Sequence, residues 1–168
     1  MSRFAILLLP LLLLLQASSA CAVAVFDLFD EPCARYGVPK AVALSIAKVE
    51  SGFAPWVVNV AGKDFRAKTR EQALYIIHAA RAYGLSHDIG IMQINNYWLR
   101  KFNLSPEVAL EPRNNVHIGV YILASEIRKH GFGWKAVGAY HSPTPWRQAQ
   151  YAARVAKFYA QLRRKDHE

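Results

Sequence analysis

Apolar positions recur at helical spacing along most of this 168-residue chain. The clearest run extends from Val38 to Gly52, where Val42, Ile46 and Val49 stand at i, i+4 and i+7 on one helix face. Pro39 suits the first turn, because its fixed φ is already helical and its missing N–H would have no partner there. Gly52 suits the end, in the left-handed conformation that other residues resist. The same periodicity predicts helices over 26–36 and from the Thr69-Arg-Glu-Gln72 capping box to Gly84. Short helices follow over 96–102, 106–110 and 134–141, and a long one over 114–130 carries Val116, Val120, Leu123 and Ile127 in one stripe. A last helix over 146–163 places Tyr151, Val155, Phe158 and Leu162 on one face. Phe53 to Lys63, punctuated by Pro55, Asn59 and Gly62, reads as an irregular loop or short hairpin. Ser86 to Asn95 alternates like a strand, with Ile89, Ile91 and Gln93 to one side. The pattern predicts a mainly α domain with a small β element near its middle.

At the N-terminus the pattern changes. A positive start with Arg3, an apolar run from Phe4 to Leu15 and a small-residue exit through Ala20 have the layout of a secretory signal peptide. The apolar run is too short for an ordinary membrane span. The expected product is a soluble, exported, periplasmic protein: residues 1–20 are the signal, cut as late as 24, and residues 21–168 form one domain. A cut after Ala20 keeps both Cys21 and Cys33, which an oxidising compartment lets pair. A later cut leaves Cys33 alone. A lipid anchor at Cys21 is the least favoured outcome, because Ser18 stands where lipoprotein signals usually show an aliphatic residue.

Charge narrows the partners. The net charge of +9 becomes +8 once the signal, with Arg3 as its one charged side chain, is removed. Arg147, Arg154, Lys157, Arg163, Arg164 and Lys165 concentrate much of it in the last helix and tail. Such a surface favours polyanions: a cell-wall polymer with acidic peptides, anionic lipid or DNA. No zinc-finger spacing, basic zipper or RNA-binding aromatic motif accompanies it, so no specific nucleic-acid partner is expected. His78, His117 and His130 lie on predicted helices with no partner at ligand spacing, so neither a metal site nor a cofactor is expected.

The chemistry centres on Glu50, in the last turn of the 38–52 helix and followed by Ser51. A helix C-terminus disfavours a second negative charge, and apolar neighbours penalise a carboxylate by desolvation. Both raise its pKa, and a carboxyl still protonated near neutral pH is what a general acid requires.

Three separated motifs, Glu50-Ser51-Gly52, Gly90-Ile-Met-Gln-Ile-Asn95 and Gly138-Ala-Tyr-His-Ser-Pro143, with Asn115-Val-His-Ile-Gly119 between the last two, together resemble the catalytic domain of the soluble lytic transglycosylases. The resemblance covers nearly the whole mature chain. It implies the lysozyme-like fold shared with goose-type lysozyme, and its variant details resemble the small single-domain members that accompany secretion, conjugation and pilus machines. It also implies a substrate, the glycan strands of peptidoglycan, cleaved non-hydrolytically at the β-1,4 bond between N-acetylmuramic acid and N-acetylglucosamine to leave a 1,6-anhydro ring. On this reading Glu50 is general acid and then base. Ser51 hydrogen-bonds near Glu50 or to substrate, Met92 and Gln93 line the groove, Tyr140 orients Glu50 or the bound sugar, and Tyr151 matches a second active-site tyrosine. Trp56, Trp98 and Trp134 are candidates for stacking on sugar rings or for groove wall. One position departs from the pattern: larger members commonly carry Asn where this chain has His141. Two alternatives stand beside this reading. One is a hydrolytic lysozyme pairing Glu50 with Asp88 or Asp64, since most glycosidases need two carboxyls. The other is a non-catalytic glycan-binding or scaffold module.

Overall fold

The structure, a computed structural model, describes residues 25–165. The segment expected to be a signal, its expected cleavage sites and Cys21 lie outside the described residues. Helix α1 (Asp30–Tyr36) is followed by α2 (Lys40–Glu50), a hairpin of β1 (Val57–Val60) and β2 (Lys63–Arg66), and α3 (Arg70–Ala82). Strands β3 (His87–Ile89) and β4 (Ile94–Asn95) lead into the short helices α4 (Asn96–Lys101) and α5 (Pro106–Leu110). The long α6 (Pro112–His130), α7 (Trp134–His141) and α8 (Pro145–Lys165) complete the order.

The predicted 26–36 helix is broken: a turn at 28–29 divides a first helical turn at 25–27 from α1. In α2, Val42 and Ile46 are buried and Val49 packs against the same core, as their spacing requires. Pro39 caps this helix with ψ 121°, one position earlier than its expected place in the first turn, and Gly52 closes it at φ 66°. The capping box before α3 forms with a shift. Thr69 accepts from the Gln72 N–H, but the Gln72 side chain reaches past Thr69 to the N–H of Lys68.

The 53–63 segment contains the hairpin, with Ala61 and Gly62 both at positive φ in its tight turn, the mirror-image geometry that matches strand twist. The four strands form one antiparallel sheet in the order β2-β1-β3-β4. The expected continuous strand over 86–95 is interrupted. At Gly90 the backbone turns to φ 79°, and at Gln93 to φ 46°, so residues 90–93 form a turn between β3 and β4. Alternation alone did not distinguish this tight reversal from a straight run, because Ile89 and Ile91 are buried in either case.

The core lies between α2, α6 and α8, with Phe29, Ile46, Val116, Val120, Leu123, Tyr151 and Val155 among its buried members. Helix α2 packs on α8, and α7 packs on both α6 and α8. The sheet sits to one side. Among the described residues no helix is long and apolar enough to cross a membrane.

Candidate active site

Glu50 is the last residue of α2, and its side chain is 13% exposed. Its Oε1 accepts a 2.6 Å hydrogen bond from the Tyr151 hydroxyl on α8. Burial pushes the Glu50 pKa up to about 7, against the opposing pull of the Tyr151 hydrogen bond; Asp88 adds to the rise and Arg154 lowers it. The shift has the upward direction expected from the sequence, with desolvation as the leading cause. His141, at the end of α7, stacks flat on Tyr151 at 4.4 Å and 3° between planes, and its Nδ1 lies 3.9 Å from the same Glu50 oxygen. Burial, then Arg154 and Arg147, hold the imidazole below its usual pKa. Near neutral pH it therefore stands beside Glu50 as a neutral ring.

Under Glu50 lies the 90–93 turn, gripped from four directions. From the end of α2, Ser51 donates its hydroxyl to the Ile91 carbonyl at 2.8 Å. From α6, Asn115 accepts from the Met92 N–H at 2.8 Å and donates to the carbonyls of Ile89 and Ala109 at 2.9 and 3.0 Å. From α7, the Tyr140 hydroxyl donates to the Met92 carbonyl at 2.7 Å. The fourth grip is internal: Gln93 donates its amide to the carbonyls of Gly90 and Val57 at 2.8 and 3.1 Å. The approach is close enough to exclude side chains. A Cβ on Gly90 would sit 2.4 Å from Asn115 Nδ2, and one on Gly119 would sit 2.5 Å from Met92 Cβ.

These contacts redistribute the predicted site. Glu50, Gln93 and Tyr140 line a cleft of about 990 Å³. Gln93 spends its amide N–H groups on the backbone, so its carbonyl oxygen is the end available to accept from a ligand. Ser51 and Met92 do not line the cleft: both are buried, at 1% and 0% exposure, Ser51 against the Ile91 carbonyl and Met92 against Gly119. Tyr140 grips Met92 rather than Glu50, and it is Tyr151, buried at 1%, that holds the carboxyl. Trp98 lines the cleft together with Tyr97, whereas Trp56 packs against the core and Trp134 lies outside the cleft against Tyr159.

The cleft walls differ in charge. The sheet side presents Asn59, Asp64, Asp88 and Asn95, and the helical side presents Lys129, Arg147 and Arg154 together with Glu126, which pairs with His130. Asp88 accepts from Asn95 at 2.7 Å, and burial raises its pKa. The histidines read as lacking metal partners each face a single carboxylate: His78 meets Glu107, His117 meets Glu31 and His130 meets Glu126.

A buried carboxyl with a raised pKa, held by a tyrosine at a cleft and backed by a clamped turn, is a site with a family. The family model described as the transglycosylase SLT domain matches residues 27–157. The chain belongs to the transglycosylase SLT domain family. This SLT domain is 32% identical to protein IpgF of Shigella sonnei over 122 residues, covering 70% of this chain and 66% of that protein. It is 37% identical over 76 residues to the invasion protein IagB of Salmonella typhi, covering 43% and 48% of the two chains. With the type IV secretion system protein virB1 of Brucella abortus it shares 29% over 106 residues, covering 62% and 44%. The chain thus spans less than two thirds of the length of each of these relatives.

Sequence reasoning missed two contributors to this SLT site. Asn115, read only as part of a spacer motif, makes three bonds that shape the turn. The available signal was spacing: Asn115, Gly119 and Ile122 stand at i, i+4 and i+7 on a buried face of α6, and a buried amide needs partners. Arg154 was read as surface charge, yet it lies over the Tyr151 ring and acts on Glu50. Its position three residues after Tyr151 places both on one helix face.

Proposed function

We propose that this SLT domain is a peptidoglycan lytic transglycosylase that acts through one carboxyl group, Glu50. The observation that carries this reading is the geometry at Glu50: a carboxyl held by the Tyr151 hydroxyl at 2.6 Å on the wall of a cleft of about 990 Å³, where burial raises its pKa to about 7. With Oε1 occupied by Tyr151, Oε2 is left to carry the proton. Glu50 gives that proton to the glycosidic oxygen as the bond from muramyl C1 breaks, and the leaving sugar departs with its hydroxyl restored. The C6 hydroxyl of the same muramyl ring then attacks C1, and its proton passes to the Glu50 carboxylate. The 1,6-anhydro ring closes, no water is consumed and Glu50 ends protonated as it began. The sugar supplies its own nucleophile, so a second carboxyl at a fixed separation is not required.

Asp88 supports a second reading, hydrolysis, because it lines the same cleft as Glu50 with its own pKa raised. Its hydrogen bond from Asn95 and its sheet position favour a structural part. The names of the relatives, a type IV secretion system protein and an invasion protein among them, support a cellular role in opening the wall locally for an envelope-spanning machine. Export to the periplasm by the N-terminal signal belongs to the same proposal.

Mass spectrometry of soluble products from purified peptidoglycan tests it. Anhydromuropeptides are expected from the wild type, with at least a thousandfold loss in Glu50→Gln. Ordinary reducing ends would establish hydrolysis, and their loss in Asp88→Asn would assign the second carboxyl.

A further inference from the structure

Two arginines beside Glu50 have no carboxylate of their own. Arg147 lies over the Trp146 ring, 5.2 Å from its centroid, and Arg154 over the Tyr151 ring at 5.4 Å. Neither belongs to any ion pair among the described residues. A guanidinium resting on an aromatic face keeps its N–H groups at its edge, in the fork that matches a carboxylate's two oxygens. These arginines, with His141, Trp146, Gln150 and Tyr151, line a second pocket of about 690 Å³. Trp146 is 59% exposed, so its indole offers apolar surface next to the cations. The pocket shares His141, Arg147 and Arg154 with the main cleft. It begins, therefore, at the imidazole whose Nδ1 is 3.9 Å from Glu50.

The N-acetylated sugars of a glycan strand are uncharged and give two unpaired arginines nothing to neutralise. The anionic groups of peptidoglycan sit on the short peptide joined through the lactyl ether at C3 of the muramyl ring. That is the ring whose C1 reacts. A substrate seated with C1 at Glu50 must send its peptide out within about one ring's width of that carboxyl, toward whichever wall can take negative charge. The sheet wall carries Asp64 and Asp88 and repels it; the α7–α8 wall carries the arginines. We propose that the pocket between Arg147 and Arg154 receives the carboxylates of the stem peptide, so that the protein prefers peptide-bearing over naked glycan. This rests on the transglycosylase reading and names the part of the substrate that this site selects.

Calorimetric titration of the Glu50→Gln protein separates the two ideas, because it reads binding without turnover. Three ligands are compared: the GlcNAc–MurNAc disaccharide carrying a tetrapeptide, the same compound with its carboxylates amidated, and the bare disaccharide. The acidic peptide form is expected to bind about tenfold more tightly than the other two. Adding Arg147→Ala should erase that ratio, while Arg147→Lys, which keeps the charge and loses the fork, should retain part of it. Equal affinities for all three ligands, or a preference that survives Arg147→Ala, would overturn the pocket even if the wild type makes anhydro products. A peptide preference that depends on Arg147, in a protein that makes no such products, would leave the pocket standing and overturn the reaction. Binding of phosphatidylglycerol vesicles or duplex DNA that is lost with Arg147→Ala, without discrimination among the three ligands, would instead assign the arginines to an anionic surface.

Discussion

At the scale of single residues, the carboxyl of Glu50 is set by opposed effects of different size. Desolvation is the largest and the Tyr151 hydrogen bond works against it. Tyr151→Phe removes the opposing effect while leaving the ring that His141 stacks on. The Glu50 pKa should then rise above about 7. Since the acid must be protonated to act, the alkaline limb of the pH–rate profile should move to higher pH. A loss of positioning should lower the maximal rate about tenfold. A profile that stays in place, or moves to lower pH, would show that the phenol does not tune the acid. His141→Ala strips the stacked ring from Tyr151 and should affect both position and pH profile, so the Phe variant is the cleaner test.

Among secondary-structure elements, the 90–93 turn carries the greatest concentration of buried polar contacts. Asn115→Ala would leave the Met92 N–H and the Ile89 and Ala109 carbonyls without their partner in the core. The expected cost is about 2–4 kcal/mol in chemical denaturation, from unsatisfied groups rather than lost packing. Gly119→Ala would drive a methyl group into Met92 and should cost about 1–3 kcal/mol by the same measurement. The extents of α2, α7 and the long α6 were legible in the sequence, because each shows an apolar stripe bounded by Pro, Gly or a capping residue. The position of Glu50 at the end of α2 was legible for the same reason. The directions of Ser51 and Met92 were not, nor was the hydrogen-bond partner of Tyr140. Each lies in one of the three motifs that carry the family resemblance, and the resemblance implied contact with the substrate or with Glu50. What they touch is a turn 40 or 48 residues distant, or a helix beyond it, and such long-range contacts leave no local pattern. The broken 86–95 strand was hidden for a related reason, since alternation does not encode a positive φ.

Over the whole molecule, the site sets a pH dependence of stability. Glu50 binds its proton more tightly folded than unfolded, because its pKa is about 7 against an ordinary 4.5. Its contribution to stability is therefore fully present below about pH 4.5 and is lost as the pH rises through 7. The loss is on the order of 3 kcal/mol. Asp88, also raised by burial, acts in the same direction. Glu71 and Glu107 are shifted downward and act oppositely, but both are solvent-screened and weigh less. Urea unfolding at pH 5 and pH 8 should show the wild type less stable at pH 8. Glu50→Gln should flatten this difference and be the more stable protein at pH 8, the usual cost of keeping a reactive group in a dry site. A wild type more stable at pH 8 than at pH 5 would count against the buried, protonated acid.

The turn beneath Glu50 also bears on how this protein can change. Ser51, Asn115, Gly119 and Tyr140 come from three helices, yet each meets the same few atoms between Ile89 and Gln93. Substitutions at these positions cannot be independent. A chimera that imports only the 86–95 segment from a relative would inherit a turn fitted to someone else's helices, whereas one that imports the helical partners with it would keep the fit. Strong epistasis among residues scattered across ninety positions of sequence is the genetic signature this arrangement should leave.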